Sequence, residues 1–230
     1  EIAHRLSLCS ELQEILMLES GFPLQEYTDI GPVARKIEVA CTFLDIEDMI
    51  ALRAGLGAVN EITVFLAAKE EGRYPVLRGL AQGVESFPEI TGHIDTILDR
   101  YGKIKDSASP ELYTIRRTIR DREGQVSKRL QAILSKAQKD GYADADAAVS
   151  IRDGRAVIPV SAANKRKING FIHDESATGK TFYIEPVEIV EINNELKELE
   201  YAERREVVRI LTAFTDRIRP DAPGIARAGE

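Results

Sequence analysis

Residues 155–185, RAVIPVSAANKRKINGFIHDESATGKTFYIE, decide the fold because they interrupt a helical sequence with a strand pattern. β-Branched and aromatic residues bounded by Gly, Pro, Asn and Ser clusters are typical of short strands. The strand candidates are residues 155–160, 167–173 and 181–185, and the turns are 161–166 and 174–180. Pro159 favours an edge or a bulge in the first strand. The stretch therefore predicts a small antiparallel β-meander.

Long helical patterns lie on both sides of this meander. Ser109-Pro110-Glu111 begins a helix that runs to about Lys139, which at about 1.5 Å per residue gives a rod of roughly 45 Å. Its apolar residues follow spacings of three and four, close to a coiled-coil heptad, and they are Leu112, Ile115, Ile119, Val126, Leu130, Ile133 and Leu134. A second stripe continues from Pro186 to Pro220 with an acidic outer face. We expect an arm leading out, a sheet at its tip and an arm leading back.

The N-terminal part reads as helices joined by short turns. Ser10 resembles the N-cap of a first helix, Gly31-Pro32 starts a second, and Asp45 resembles the cap of a third that ends near Ala68. The fold class is thus mainly α. The predicted division is a helical core at 1–108, an outgoing lever helix at 109–148, a β clamp at 149–187, a returning helix at 188–220 and a loose C-terminal end at 221–230.

Composition sets the broad class. The chain has 230 residues and a formal net charge of −7, which fits a globular protein of one or two domains. No uninterrupted apolar run reaches the roughly 18 residues of a membrane span, so no membrane contact is predicted. The first residue is Glu1, which we interpret as the start of an excised fragment. Two cysteines, Cys9 and Cys41, suit a reducing cytoplasm and are typical of small core residues.

Charge is distributed unevenly along the chain. Residues 1–113 carry a net charge of −9, residues 114–180 carry 14 basic and 8 acidic side chains for a net of +6, and residues 181–230 carry −4. A basic segment between acidic flanks concentrates the attraction for a polyanion in one place. Charged residues that only solvate a helix face produce the same pattern, so charge alone leaves both interpretations open.

Catalytic motifs are weak. Ala177-Thr178-Gly179-Lys180-Thr181 resembles the second half of a phosphate-binding loop, but Asp174 stands where the first Gly is needed and a strand follows instead of a helix. His173-Asp174-Glu175-Ser176 holds the residue types of a hydrolytic triad, yet sequence neighbours rarely face one another as a triad requires. The histidines and cysteines have no metal-ligand spacing, so we predict no catalytic residue, cofactor or metal within this chain.

Cations are concentrated at the predicted turn between the first two strands. Four or more cations on a protruding tip can neutralise phosphates with little sequence preference. The primary candidates for nucleic-acid contact are Lys165, Arg166 and Lys167, then Arg152, Arg155 and Lys180, with Arg116, Arg117 and Arg120 on the outgoing helix after them. Lysines that keep a strand edge from aggregating are the competing interpretation.

A run of motifs within residues 149–211 resembles a known family. The motifs are Arg152-Asp-Gly-Arg155, Ile158-Pro-Val160, residues 170–181, Ile184-Glu-Pro186 and Asn193-Asn194. Together they resemble the bacterial MutS family, specifically its second-type, recombination-suppressing branch that carries an Smr nuclease domain. The resemblance implies a core, lever and clamp fragment, with residues 152–187 as the clamp between lever helices.

The resemblance also implies a function for the whole protein. Members are homodimeric, DNA-dependent ATPases and endonucleases that embrace branched or mismatched DNA, use ATP and Mg²⁺, and are linked to rescue of collided ribosomes. The chain has no Walker A motif and no Smr sequence, so the expected part is the one that grips duplex or branched DNA or ribosomal RNA. The alternative is a helical scaffold that binds protein or the ribosome without touching DNA.

Overall fold

The computed structural model describes residues 2–23, 28–70 and 72–229. These residues divide into two compact units. The first, here the helical unit, combines Glu1–Ser109 with Val207–Glu230, and the second, here the arm unit, is Pro110–Glu206. Each unit is described by itself.

The helical unit is built from helices joined by short connections. They are α1 (Ile2–Leu18), α2 (Gly31–Glu38), α3 (Ile46–Ala67), α4 (Pro75–Gln82), α5 (Pro88–Ile97) and α8 (Ala222–Ala228), with the end of α7 (Val187–Ile218). Fully buried side chains such as Ile37, Leu44, Leu52, Ile94 and Phe214 form its interior. A helix bundle of this kind is stable because apolar stripes spaced by three and four residues face one another.

Helix α3 begins where the sequence predicts. The carboxylate of Asp45 accepts from the backbone N–H of Asp48, and the carboxylate of Asp48 accepts from the N–H of Asp45, which completes a capping box.

By length and composition α3 is also the one helix among the described residues that is apolar enough to cross a membrane. The sequence prediction missed this because Arg53 and Glu61 interrupt the apolar run. Met49, Leu52 and Leu56 of α3 pack inside the helical unit.

Three local predictions for this unit are wrong. Helix α1 starts at Ile2, so Ser10 lies within it and caps nothing. Cys9 and Cys41 are exposed and not core residues; Cys41 lies in a turn with φ of 62°. The C-terminal end at 221–230 is not loose up to residue 229, because α8 buries Ala222 and Ile225 completely.

The arm unit contains the two long helices and the sheet. Helix α6 (Pro110–Lys139) matches the helix predicted to end near Lys139, but residues 140–148 of the predicted lever segment form turns and no helix. Helix α7 follows the last strand directly. Arg116 pairs with Glu203 at 2.7 Å and Arg122 pairs with Glu195 at 2.9 Å. These pairs join rising positions of α6 to falling positions of α7, so the two helices are antiparallel, which confirms the predicted arm leading out and arm leading back.

The sheet has four strands, which are β1 (Ser150–Arg152), β2 (Arg155–Ser161), β3 (Gly170–Glu175) and β4 (Thr181–Pro186). Every neighbouring pair is antiparallel and the order is β1-β2-β4-β3. The mainly α fold class with a small antiparallel sheet is confirmed. The strand order adds a feature that the sequence did not reveal, since residues 162–169 connect β2 to β3 past the intervening β4.

One face of the sheet packs on the long helices. Ile158 of β2 lies opposite Ile184 of β4, and both are buried against Leu130 and Leu134 of α6 and Ile189 of α7. Because strand side chains alternate between faces, this apolar contact also determines which residues point away from the helices. The other face carries the polar side chains described next.

Candidate nucleic-acid interface

Two turns that carry candidate cations lie side by side at one end of the sheet. Ser161 at the end of β2 faces Thr181 at the start of β4, and the N–H of Ala162 donates to the carbonyl oxygen of Lys180 at 2.9 Å. The 162–167 segment and the 176–180 turn therefore share this end, here called the tip. The register of β2 with β4 is what brings Lys180 beside the cations of the other turn.

The 176–180 turn is a hairpin connection. The N–H of Gly179 donates to the carbonyl oxygen of Ser176 at 2.7 Å, and Gly179 has a φ of 66°, which favours Gly. The turn leads into β4, and the Ser176 side chain accepts from the N–H of Thr181. The predicted turn followed by a strand is confirmed.

The cations of the tip differ in how they are held. Lys165 places its Nζ 4.2 Å from the centre of the Phe182 ring, a cation–π contact that orients the side chain. Arg166, Lys167 and Lys180 are exposed, and none has an ion-pair partner among the residues that the structure describes. The tip thus presents fixed positive charge to solvent.

Arg152 and Arg155 are engaged within the chain and less available than the tip cations. Arg152 pairs with Asp174 at 3.0 Å and stacks 3.9 Å from the centre of the Tyr183 ring. Arg155 donates to Glu185 at 2.8 Å and to Asn194 at 2.7 Å. Both guanidinium groups already donate hydrogen bonds to side chains of this chain. Either one could contact a phosphate only by sharing its donors between the two partners or by giving up a bond to its present partner.

Glu185 is the centre of a polar network that the sequence prediction did not single out. Its carboxylate is only 1% exposed, and it accepts from Arg155, from Asn193 at 2.7 Å and from His173 at 2.6 Å. Burial alone raises the pKa of Glu185, but the hydrogen bonds from Asn193, Arg155 and His173 outweigh burial and hold that pKa below its ordinary value. The network links three strands to α7. The Ser176 hydroxyl contacts Thr178 and the N–H of Thr181, and among the described residues it has no contact with His173.

The candidate arginines of α6 also differ. Arg116 is paired with Glu203, Arg120 is engaged in an interaction within the chain, and Arg117 is exposed. The structure adds one cation, Lys136 of α6, to the candidates chosen from the sequence. Lys136 and Lys167 line the same cleft, which has a volume of about 350 Å³. Asp140 and Glu188 line the same cleft, so it carries both signs of charge. No group of three or more metal-ligating side chains occurs among the described residues.

Comparison with known proteins identifies the family. No family model matches the chain. It is 33% identical over 225 residues to a protein of Streptococcus thermophilus, 34% over 203 residues to one of Alkaliphilus oremlandii, and 36% over 217 residues to one of Streptococcus pneumoniae. These alignments cover 98%, 88% and 94% of the chain, and each relative is named Endonuclease MutS2. The chain belongs to the second-type MutS family.

The relatives are much longer than this MutS-family chain, which spans 25–28% of their length. The motif residues noted in the sequence acquire a structural explanation here. Arg155, His173, Glu185, Asn193 and Asn194 are joined by hydrogen bonds in the polar network around the buried Glu185. Much of the motif therefore holds the sheet on α7, and the exposed cations of the tip take no part in this network.

Proposed function

We propose that this chain is the nucleic-acid-gripping part of a larger MutS-family protein, and that its tip contacts the sugar-phosphate backbone of duplex or branched nucleic acid. The observation that carries the proposal is the set of exposed cations without ion-pair partners among the described residues, namely Arg166, Lys167 and Lys180. They come from two turns that the strand register brings to the same end of the sheet.

The contacts are electrostatic and largely independent of base sequence. Lysine and arginine that neutralise phosphates release counterions, so affinity falls steeply with salt. Lys165 and Lys136 extend the positive surface of the tip, while Asp140, Asp174 and Glu188 limit its extent. Arg117 is a secondary contact on the exposed side of α6, whereas Arg116, Arg120, Arg152 and Arg155 act mainly within the chain.

For the whole protein we propose the activities that the family resemblance implies. The relatives are named as endonucleases, and this chain spans about a quarter of their length. The proposed whole protein is a cytoplasmic homodimer that uses ATP and Mg²⁺, cleaves DNA, suppresses recombination by engaging branched or mismatched DNA, and rescues collided ribosomes. None of these steps is assigned to a residue of this chain.

The test is a fluorescence-anisotropy titration of duplex, four-way junction and structured RNA with the wild-type chain and with Lys165/Arg166/Lys167→Ala. We expect the variant to bind each probe at least tenfold more weakly at 50 mM salt. The slope of log affinity against log salt concentration should become shallower by the amount that corresponds to about two to three lost phosphate contacts. Equal affinity of the two proteins, or binding without salt dependence, would contradict the proposal.

A matched control separates tip contacts from net charge. Arg100/Lys103/Arg227→Ala removes the same three charges from exposed positions of the helical unit. This variant should bind all probes within twofold of the wild type. A loss as large as that of the tip variant would show that overall charge, and not the tip, drives binding.

The second candidate function is a protein-binding scaffold, and helix α1 favours it. Ile2, Leu6, Met17 and Leu18 of α1 are 65–84% exposed. At 3.6 residues per turn, Ile2, Leu6 and Met17 lie on one side of α1, and exposed apolar side chains grouped in this way are typical of an interaction site. A chain that self-associates in sedimentation experiments while leaving DNA and RNA unbound at low salt would establish this function instead.

A further inference from the structure

A groove in the arm unit lies between the two long helices and the outer strand β1. It has a volume of about 280 Å³. Its apolar lining comes from all three elements and from the segments beside β1: Val126, Leu130, Val149, Ile151, Ala156 and Leu196. It lies apart from the tip, since β1 and the start of β2 stand at the opposite end of the β2–β4 pairing.

Ile151 is an exposed residue on the face of the sheet that packs on the long helices. It pairs with Ala156 in the register of β1 with β2, which places it on the same face as Ile158 and Val160. Ile158 and Val160 are 0% exposed, whereas Ile151 is 69% exposed. The helix-facing apolar surface therefore continues to the edge of the sheet without being covered by the described residues.

The edge beside this groove is open. Strand β1 is the outer strand of the sheet, so only one of its edges is paired with another strand among the described residues. An unpaired strand edge offers backbone N–H and C=O groups to an added extended segment. Apolar side chains of such a segment would enter the groove against Ile151.

The rim of the groove is acidic. Glu123 of α6 is exposed and has no ion-pair partner among the residues described. Glu200 of α7 pairs with Lys197 at 3.0 Å, and the Nζ of Lys197 lies beside Gly154 of the lining, so two carboxylates stand against one ammonium group. Polar side chains of Ser127 and Asn193 complete the lining. An occupant that carries a basic group beside an aliphatic side chain complements this combination of charge and apolar surface.

We propose that this groove docks an extended segment of a protein partner in which Lys or Arg flanks aliphatic side chains. The aliphatic side chains pack on Ile151, Val126 and Leu196, and the basic groups lie against Glu123 and Glu200. The site is independent of the nucleic-acid contact proposed for the tip, so the two proposals stand or fall separately.

The test uses the whole chain and the peptide Lys-Ile-Val-Leu-Arg-amide with fluorescein on its N-terminal amine, and a control peptide with the same label in which Glu replaces Lys and Arg. Anisotropy is followed up to millimolar protein, and the Ile151 methyl resonance is followed by NMR. We expect saturable binding of the basic peptide, at least tenfold preference over the acidic peptide, and a shift of the Ile151 methyl signal.

Variants locate the binding. Ile151→Ser should weaken the basic peptide at least tenfold, and Glu123→Gln at least threefold. Ile172→Ser is the matched control, because Ile172 is also half exposed on the other outer strand and should leave affinity within twofold. The proposal is overturned by absence of saturable binding, by equal binding of both peptides, or by an Ile151→Ser variant that binds normally. Self-association that Ile151→Ser abolishes would also overturn it, since the occupant would then be a second copy.

Discussion

The guanidinium of Arg155 on β2 donates to the carboxylate of Glu185 on β4 at 2.8 Å, and that carboxylate is almost completely removed from solvent. Asn193 of α7 and His173 of β3 donate to the same carboxylate. A single buried acid thus connects the strands on both sides of β4 with the helix that follows it. This connection and the apolar core together hold the sheet on α7 within the arm unit.

Removal of the buried carboxylate should destabilise the arm unit strongly. Glu185→Ala leaves Arg155 without its ion-pair partner in a largely buried position, and breaking such a pair costs about 3–5 kcal/mol. Urea unfolding followed by circular dichroism measures this loss. Glu175→Gln, an exposed change on β3, is the control and should alter the free energy of unfolding by less than about 0.5 kcal/mol. Similar losses in the two variants would show that the network has no special role.

The same carboxylate predicts a pH dependence. The pKa of Glu185 is lower in the folded chain than in the unfolded chain, where the pKa of a Glu is about 4.3. The unfolded state therefore binds more protons in acid, so the stabilisation is present above about pH 4.3 and is lost as the pH falls through the lower folded pKa. Unfolding free energies measured from pH 6 to pH 2.5 should fall more steeply in the wild type than in Glu185→Gln. Parallel profiles would refute this prediction.

Local patterns predicted the long elements well and the network poorly. The apolar spacing from Leu112 to Leu134 is a property of one helix, so α6 follows from the sequence alone. The Glu185 network joins residues 30 and 12 positions apart along the chain, and its geometry depends on strand order and on the irregular register between Ile172 and Asp174. Neither the strand order nor this irregular register can be derived from hydrophobic periodicity.

The candidate nucleic-acid interface likewise depends on tertiary contacts that the sequence pattern does not reveal. The nine candidate cations look alike in the sequence, yet the structure pairs Arg116, Arg152 and Arg155 with carboxylates. Arg166, Lys167 and Lys180 have no ion-pair partner among the described residues. Arg155 and Lys167 are both predicted at strand ends, but only Arg155 has an acidic partner aligned on the neighbouring strand. Strand β1 escaped prediction because three residues, Ser150–Arg152, are too few to show an alternating pattern.

A buried hydroxyl in the helical unit leads to a separate prediction. The Oγ1 of Thr215, which is 0% exposed, accepts from the N–H of Leu44 at 2.9 Å and donates to the carbonyl oxygen of Leu211 at 2.8 Å. Thr215→Val leaves the Leu44 N–H without a partner, which costs about 1–3 kcal/mol.

Hydrogen exchange of the Leu44 amide is the decisive measurement. It should accelerate in Thr215→Val and remain slow in Thr215→Ser, which keeps the hydroxyl and loses only a methyl group worth about 1 kcal/mol. Equal protection of the Leu44 amide in the two variants would mean that this hydrogen bond is unimportant.

Replacing two glycines of the arm unit with alanine should change the free energy of unfolding in opposite directions. A Cβ at Gly170 would overlap the backbone carbonyl oxygen of Glu185, so Gly170→Ala must displace β3 from β4 and should cost about 1–3 kcal/mol. A Cβ at Gly124, inside α6, meets no atom within 4 Å, and Gly124→Ala should stabilise by about 0.5–1 kcal/mol because alanine loses less backbone entropy in a helix. Urea midpoints of the two variants should therefore move in opposite directions from the wild type. A Gly170→Ala midpoint at or above that of the wild type would show that β3 does not approach β4 as closely as described.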